Sequence, residues 1–150
     1  MCKKNPGAIA KRGVEVDGGG AFSLYLRIPA WCEDGASIAV NGQPFVGAIV
    51  PGSYAEVRRT WHAGDVVTLN LSMPPRRVAC HPYVAENAGR VALMRGPILY
   101  CLEQVDHPDL DLRDIVLPGN APLSAEFVPD LLGGVAVLRG RGILTHPDGD

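Results

Sequence analysis

Apolar and polar residues alternate along much of this chain. A period of two marks a strand with one buried face, because successive side chains point to opposite sides. The clearest case is Phe22–Ile28, where Phe22, Leu24, Leu26 and Ile28 fall on one side and Ser23, Tyr25 and Arg27 on the other. Pro29 closes it, since proline has no N–H to donate to a ladder. Tyr54–Trp61 repeats the pattern, with Ala55, Val57 and Trp61 opposed to Tyr54, Glu56 and Arg58. Val67, Leu69, Leu71 and Met73 then form a further apolar face. Between these runs, Ser37–Val40 and Gln43–Val46 flank Asn41-Gly42, a strong hairpin signal because both turn residues tolerate positive φ. Arg76–His81 reads as a short edge strand between Pro75 and Pro82.

The longest nearly apolar run is Gly89–Glu103, cut by Arg95-Gly96-Pro97 into two expected strands, Arg90–Met94 and Ile98–Gln104. Val91, Leu93, Ile98, Leu99, Tyr100 and Leu102 are expected to be buried, with the rest of the chain organised around them. Beyond Glu103 the signals weaken. Asp106–Asp114 is acidic and turn-like, and Ile115–Leu117, Leu123–Phe127 and Val135–Leu138 read as weaker strands. Asp130-Leu131-Leu132 supports at most one helical turn, and Met1–Gly20 carries only a short alternation at Val14–Val16. Short strands at roughly 8–12-residue spacing predict an all-β, antiparallel β-sandwich, jelly-roll-like and without substantial helix. The expected organisation is a loose lead-in over 1–20, a sandwich core over 21–104, strands over 105–140 that complete it or begin a second sandwich, and a frayed tail over 141–150.

Composition narrows the function classes. Hydrophobic residues make up 47% of 150, enough for a real core, and 18 glycines with 13 prolines disfavour long helices. A net charge of −2 with only scattered basic doublets argues against nucleic acid as a partner. No apolar run approaches the ~20 residues of a membrane span. Met1-Cys2-Lys3-Lys4 is followed by Asn5-Pro6-Gly7 rather than an apolar signal core, so a cytoplasmic location is expected. Cys2, Cys32, Cys80 and Cys101 have no C-x-x-C spacing, and free thiols are expected rather than a disulfide.

Candidate chemistry is sparse. Cys32, Cys80, His81 and Cys101 are zinc-type ligands, but adjacent strand residues such as Cys80 and His81 face opposite ways and do not converge on one tetrahedral ion. No G-x-S-x-G elbow or papain-like cysteine context occurs. Glu56, Asp65, Glu86 and Glu103 could in principle pair across a sugar, yet any sheet surface carries that many acids. No catalytic, cofactor-binding or metal residue is therefore expected. Trp31 and Trp61 lie in apolar phase and are expected to pack. Tyr25, Tyr54 and Tyr83 are the candidates for contact with a sugar or a partner.

Five stretches taken together, LRIPAWC (26–32), VNGQP (40–44), GSYAEVRRTWHAGDVVTLNLSMPPR (52–76), GRVALMRGPILYCLE (89–103) and FVPDLLGGVAVLRG (127–140), resemble the C-terminal region of glycoside hydrolase family 127, the β-L-arabinofuranosidase-type enzymes. That resemblance implies a parent enzyme in which a barrel of paired helices performs the chemistry, through a cysteine beside a zinc, and β-sandwich modules follow it. No residue of that site corresponds to a position in this chain. The resemblance thus implies a non-catalytic, accessory β-sandwich that packs on a barrel domain and takes part in self-association. The alternatives are a carbohydrate-binding module and, more remotely, a glycosidase complete in itself.

Overall fold

The hairpin at Asn41-Gly42 forms as its sequence requires. Asn41 and Gly42 both take positive φ, 51° and 79°, the mirror-image turn that matches strand twist. They join β3 (Ser37–Val40) to β4 (Gln43–Pro44). The computed structural model describes residues 9–33 and 35–145, and the all-β, antiparallel character predicted from the sequence holds throughout them. Among the described residues the only helical elements are three-residue 3₁₀ turns at Ala85–Asn87, Gln104–Asp106 and Leu112–Asp114. The chain divides into two compact units between Met73 and Pro74. The change of texture near residue 105 lies inside the second unit. Pro74-Pro75 supplies the physical break, since neither residue can donate to a continuing ladder.

In the first unit, β6 (Val66–Ser72) is central to a four-stranded sheet of order β1-β6-β3-β4. β1 (Ile9–Glu15) pairs with it from Ile9↔Ser72 to Glu15↔Val66. The lead-in was expected to hold one weak strand at Val14–Val16. Instead the ladder starts at Ile9, because β6 offers an edge that a strand of mixed composition can complete. Residues 1–8 lie outside the described ones. A second sheet consists of β2 (Gly20–Arg27) and β5 (Tyr54–Trp61), paired from Gly20↔Trp61 to Arg27↔Tyr54.

Side chains of both sheets meet in one cluster. Ile28, Ala55, Val57 and Trp61 come from the β2–β5 side, Ile38, Val40 and Val67 from the other, and Leu24, Leu26, Phe45 and Leu69 pack around them. Burying a Val or Ile fully contributes about 1.5–3 kcal/mol, so this cluster holds the unit together. The period-two reading of β5 is met residue by residue: Ala55, Val57 and Trp61 are buried while Tyr54, Glu56 and Arg58 are exposed. Trp61 is fully buried, its indole N–H donating to the Phe22 carbonyl at 3.0 Å, with the Phe22 ring stacked at 5.6 Å. Trp31, at a strand end, is half-buried.

The second unit contains a three-stranded sheet, β7 (Pro75–Ala79), β8 (Val91–Arg95) and β9 (Ile98–Tyr100), in that order. β11 (Leu123–Val128) and β12 (Val135–Gly140) form a hairpin, and β10 (Ile115–Val116) pairs with β13 (Ile143–Leu144). Arg77 ties β7 to the 118–121 turn, its guanidinium donating to the carbonyls of Pro118 and Ala121.

Three expectations are corrected here. Val91, Ile98, Leu99 and Leu102, expected to be buried, are 45%, 48%, 65% and 53% exposed. Hydrophobicity dictates that such side chains prefer to leave water, but among the described residues nothing in this unit covers them fully. β9 ends at Tyr100 rather than Gln104, because Gln104–Asp106 turns tightly and the Gln104 amide donates to the carbonyls of His107 and Leu110 at 2.7 and 2.6 Å. Asp130–Leu132, read as at most one helical turn, forms a tight turn: Leu132 sits at φ 49°, and the Gly134 N–H closes back on Leu131. Residues 141–145, expected to fray, supply β13, and β12 runs on to Gly140.

Candidate functional site

Register brings together two of the three tyrosines singled out from the sequence. In the β2–β5 ribbon the inward pairs are Leu24↔Val57 and Leu26↔Ala55. The outward pairs are Ser23↔Arg58, Tyr25↔Glu56 and Arg27↔Tyr54. Tyr25 and Tyr54 are thus diagonal neighbours on one face, 59% and 62% exposed. The polar groups around them are held in place. Arg27 donates to the carbonyls of Ile28 and Ser53 at 2.6 and 3.0 Å, and its guanidinium lies over the Tyr54 ring at 5.4 Å. Ser23 donates its hydroxyl to Glu56 at 2.5 Å. The result is a flat strip of two aromatic rings, a carboxylate and guanidiniums on a β scaffold. Such a strip can stack on a planar apolar surface and exchange hydrogen bonds with a polar one.

Tyr83 belongs to the second unit and does not join them. It is 92% exposed in the loop after β7, with its ring 5.0 Å from His81 and its backbone N–H donating to His81 Nδ1 at 3.3 Å. The cysteines occupy three different settings. Cys32 is buried, its thiol 3.7 Å from the Ser72 carbonyl. Cys80 is half-buried, 3.5 Å from the Asn87 carbonyl, and Cys101 is exposed. Cys2 lies outside the described residues. Among the described residues, no group of three or more His, Cys, Asp or Glu could hold a metal ion. No helix of the described residues is long and apolar enough to cross a membrane.

One polar cluster escaped the sequence reading, which treated Asp65 as one more surface acid and Asn41 as a turn residue. Asp65 is only 8% exposed. Its carboxylate accepts from the Asn41 amide at 2.7 Å and from the His62 backbone N–H at 2.9 Å, with the Arg59 guanidinium at 3.8 Å. Asn41 in turn accepts from the Val66 N–H at 2.7 Å. The tip of the β3–β4 hairpin is thereby latched to the β5–β6 turn. The only hint in the sequence was that both partners sit at tight turns, Asn41-Gly42 and Gly64-Asp65.

The latch makes stability pH-dependent. The Asn41 hydrogen bond first, then that of His62, hold the Asp65 carboxyl below the ordinary aspartate value of 3.8. A carboxyl whose folded pKa is depressed binds its proton more readily when unfolded. Its stabilisation is therefore present above the unfolded value and lost as pH falls through the folded one. Thermal midpoints measured by circular dichroism should drop below about pH 4, and Asp65→Asn should make that acid limb shallower. An unchanged limb in the variant would show that Asp65 does not set it. Asp111, brought down to about 2 by its hydrogen bonds with Arg113, titrates on the same limb.

Comparison with known proteins defines the class. The chain matches two consecutive β domains of glycoside hydrolases: residues 9–73 match "Beta-L-arabinofuranosidase, GH127 middle domain", and residues 75–132 match "Glycoside hydrolase family 127 C-terminal domain". The junction between the two matches coincides with the division between the two units. A non-reducing end beta-L-arabinofuranosidase of Bifidobacterium longum subsp. longum is 38% identical, over 83% of this chain and 19% of its own. A crystal structure of a GH127 beta-L-arabinofuranosidase from Geobacillus stearothermophilus T6 is 39% identical with a TM-score of 0.78, covering 99% of this chain and 25% of that one. A second solved structure, described as a glycoside hydrolase, is 32% identical with a TM-score of 0.82 and the same coverage. This chain belongs to glycoside hydrolase family 127, and it spans about a quarter or less of the length of these relatives.

Proposed function

We propose that this chain is a non-catalytic accessory portion of a family 127 glycosidase, and that it packs on a catalytic domain carried by polypeptide outside it. The observation that supports this most directly is the share: the chain aligns over nearly all of its own length with a quarter of a beta-L-arabinofuranosidase, and its two units match domains described as middle and C-terminal. In this reading the first unit, whose two sheets share one core, is a small β-sandwich that braces the enzyme. Separated from that domain, the chain self-associates through its exposed apolar side chains.

The test is an assay of the purified chain with a chromogenic arabinofuranoside, with and without zinc. No turnover above buffer is expected, whereas turnover that disappears in Cys80→Ala would overturn the accessory reading.

A second reading, carbohydrate binding, is favoured by one observation, the ordered Tyr25–Tyr54 strip. Titration with arabinose-containing oligosaccharides, followed by intrinsic fluorescence, separates the two. The accessory reading expects no saturable response up to about 10 mM, weaker than any useful affinity. A saturable response lost in Tyr25→Ala would replace it with the second.

A further inference from the structure

We propose that Ile98–Val105, the outer strand β9 and the segment leaving it, is the docking surface for the remainder of the parent glycosidase. This rests on the accessory reading and says where the contact is made. The first unit buries Ile28, Ile38, Val57, Trp61 and Val67 almost completely, whereas among the described residues of the second unit only Arg95 and Gly96 are buried. A unit of that size without a dry apolar core gains little from folding by itself. Many of its apolar side chains are instead exposed, Val91, Leu132 and Ile143 among them, and the densest group lies in one stretch: Ile98 is 48% exposed, Leu99 65%, Leu102 53% and Val105 78%. From Gly96 to Leu102 there is no charged residue to discourage association. Among the described residues β9 has β8 as its only ladder neighbour, so there its outer edge also presents unpaired backbone groups.

Geometry constrains the partner. Ile98 pairs with Arg95 and Leu99 with Met94, so the two side chains point to opposite faces of the sheet. A surface that covers both must close around the strand edge rather than rest on one face. The solved relatives indicate the occupant. They match 99% of this chain with TM-scores of 0.78 and 0.82 while leaving three quarters of their own polypeptide outside the match. The same backbone therefore exists where a much larger body of the same chain is available to cover it, and that body is the partner of this strand edge.

Two measurements test this. The first uses the chain alone, by native-state hydrogen exchange. Amides of β8, β9 and Cys101–Val105 should exchange at least tenfold faster than those of β5 and β6. Equal protection would show that the second unit is complete without a partner and would overturn the proposal. The second grafts the chain in place of the matching stretch of the Geobacillus stearothermophilus enzyme and introduces Ile98→Ser with Leu99→Ser. In the chain alone the double change should move the thermal midpoint by about 2 °C or less, because about half of Ile98 and most of Leu99 are already exposed. In the chimaera it should lower the midpoint by about 5 °C or more, with loss of arabinofuranosidase activity on heating. A chimaera equally stable with and without the double change overturns the docking surface and leaves the accessory reading standing. Hydrolysis by the unmodified chain alone sinks the accessory reading instead. A chimaera whose mass by light scattering halves on the double change would assign the surface to a second copy and overturn the proposal.

Discussion

Trp61→Ala is expected to cost about 3–5 kcal/mol, most of the stability that a domain of this size possesses. Trp61 has no solvent exposure, and its ring bridges the β2–β5 ribbon to the shared cluster. Removing it leaves a cavity that neighbouring β-branched residues, held by two sheets, cannot collapse to fill. The Phe22 carbonyl also loses its indole donor, and the Arg59 guanidinium, 5.2 Å from the ring centroid, loses the face it covers. Urea unfolding followed by circular dichroism should show the midpoint collapse. Trp61→Phe, which keeps most of the volume but not the N–H, should recover more than half of the loss. A Trp61→Ala protein with an unchanged midpoint would mean that the shared cluster is not the core.

Asn41→Ala is expected to have the next largest effect, about 3 kcal/mol. Two separable causes contribute. The amide to Asp65 is a hydrogen bond to a charged group, and its loss also leaves the Val66 N–H without its side-chain acceptor. The backbone at Asn41 is left-handed, φ 51°, which costs alanine roughly 1 kcal/mol more than asparagine. Asn41→Gly removes the strain but not the lost bonds, so it should fall between the wild type and Asn41→Ala. If the glycine variant matched the wild type, the latch would carry no energy, and the cost would lie in the backbone alone.

The structure explains which parts of the fold could be read from the residues. β3, the Asn41-Gly42 turn and β5 were legible because each carries its own local signal, either strict alternation or a turn dipeptide with a required backbone conformation. The ribbon's outward face was legible for the same reason: once Tyr25 and Tyr54 are in polar phase on adjacent strands, only the pairing register is needed to set them side by side. The Asp65–Asn41 latch was not legible. It joins turns 24 positions apart, and no local pattern distinguishes an acid that accepts two hydrogen bonds from one that points into water. β1 was legible only at its end, in the alternation at Val14–Val16, because an edge strand gains its ladder from a neighbour and its own composition shows little of that.

The run Gly89–Glu103 shows where the boundary lies. Its composition decided that these residues would be strands and that their side chains would favour an apolar environment. It could not decide whether this chain supplies that environment, because burial is a property of what packs on a strand and not of the strand itself. The residue sequence alone therefore settled the all-β class, the strands β3 and β5, the turn at Asn41-Gly42 and the family. Tertiary structure decided the division at Pro74, the confinement of the dry core to the first unit, the joining of Asn41 to Asp65 and the exposure of Ile98–Val105. Each of these depends on contacts between residues far apart in the chain, and a local alternation of apolar and polar residues carries no information about them.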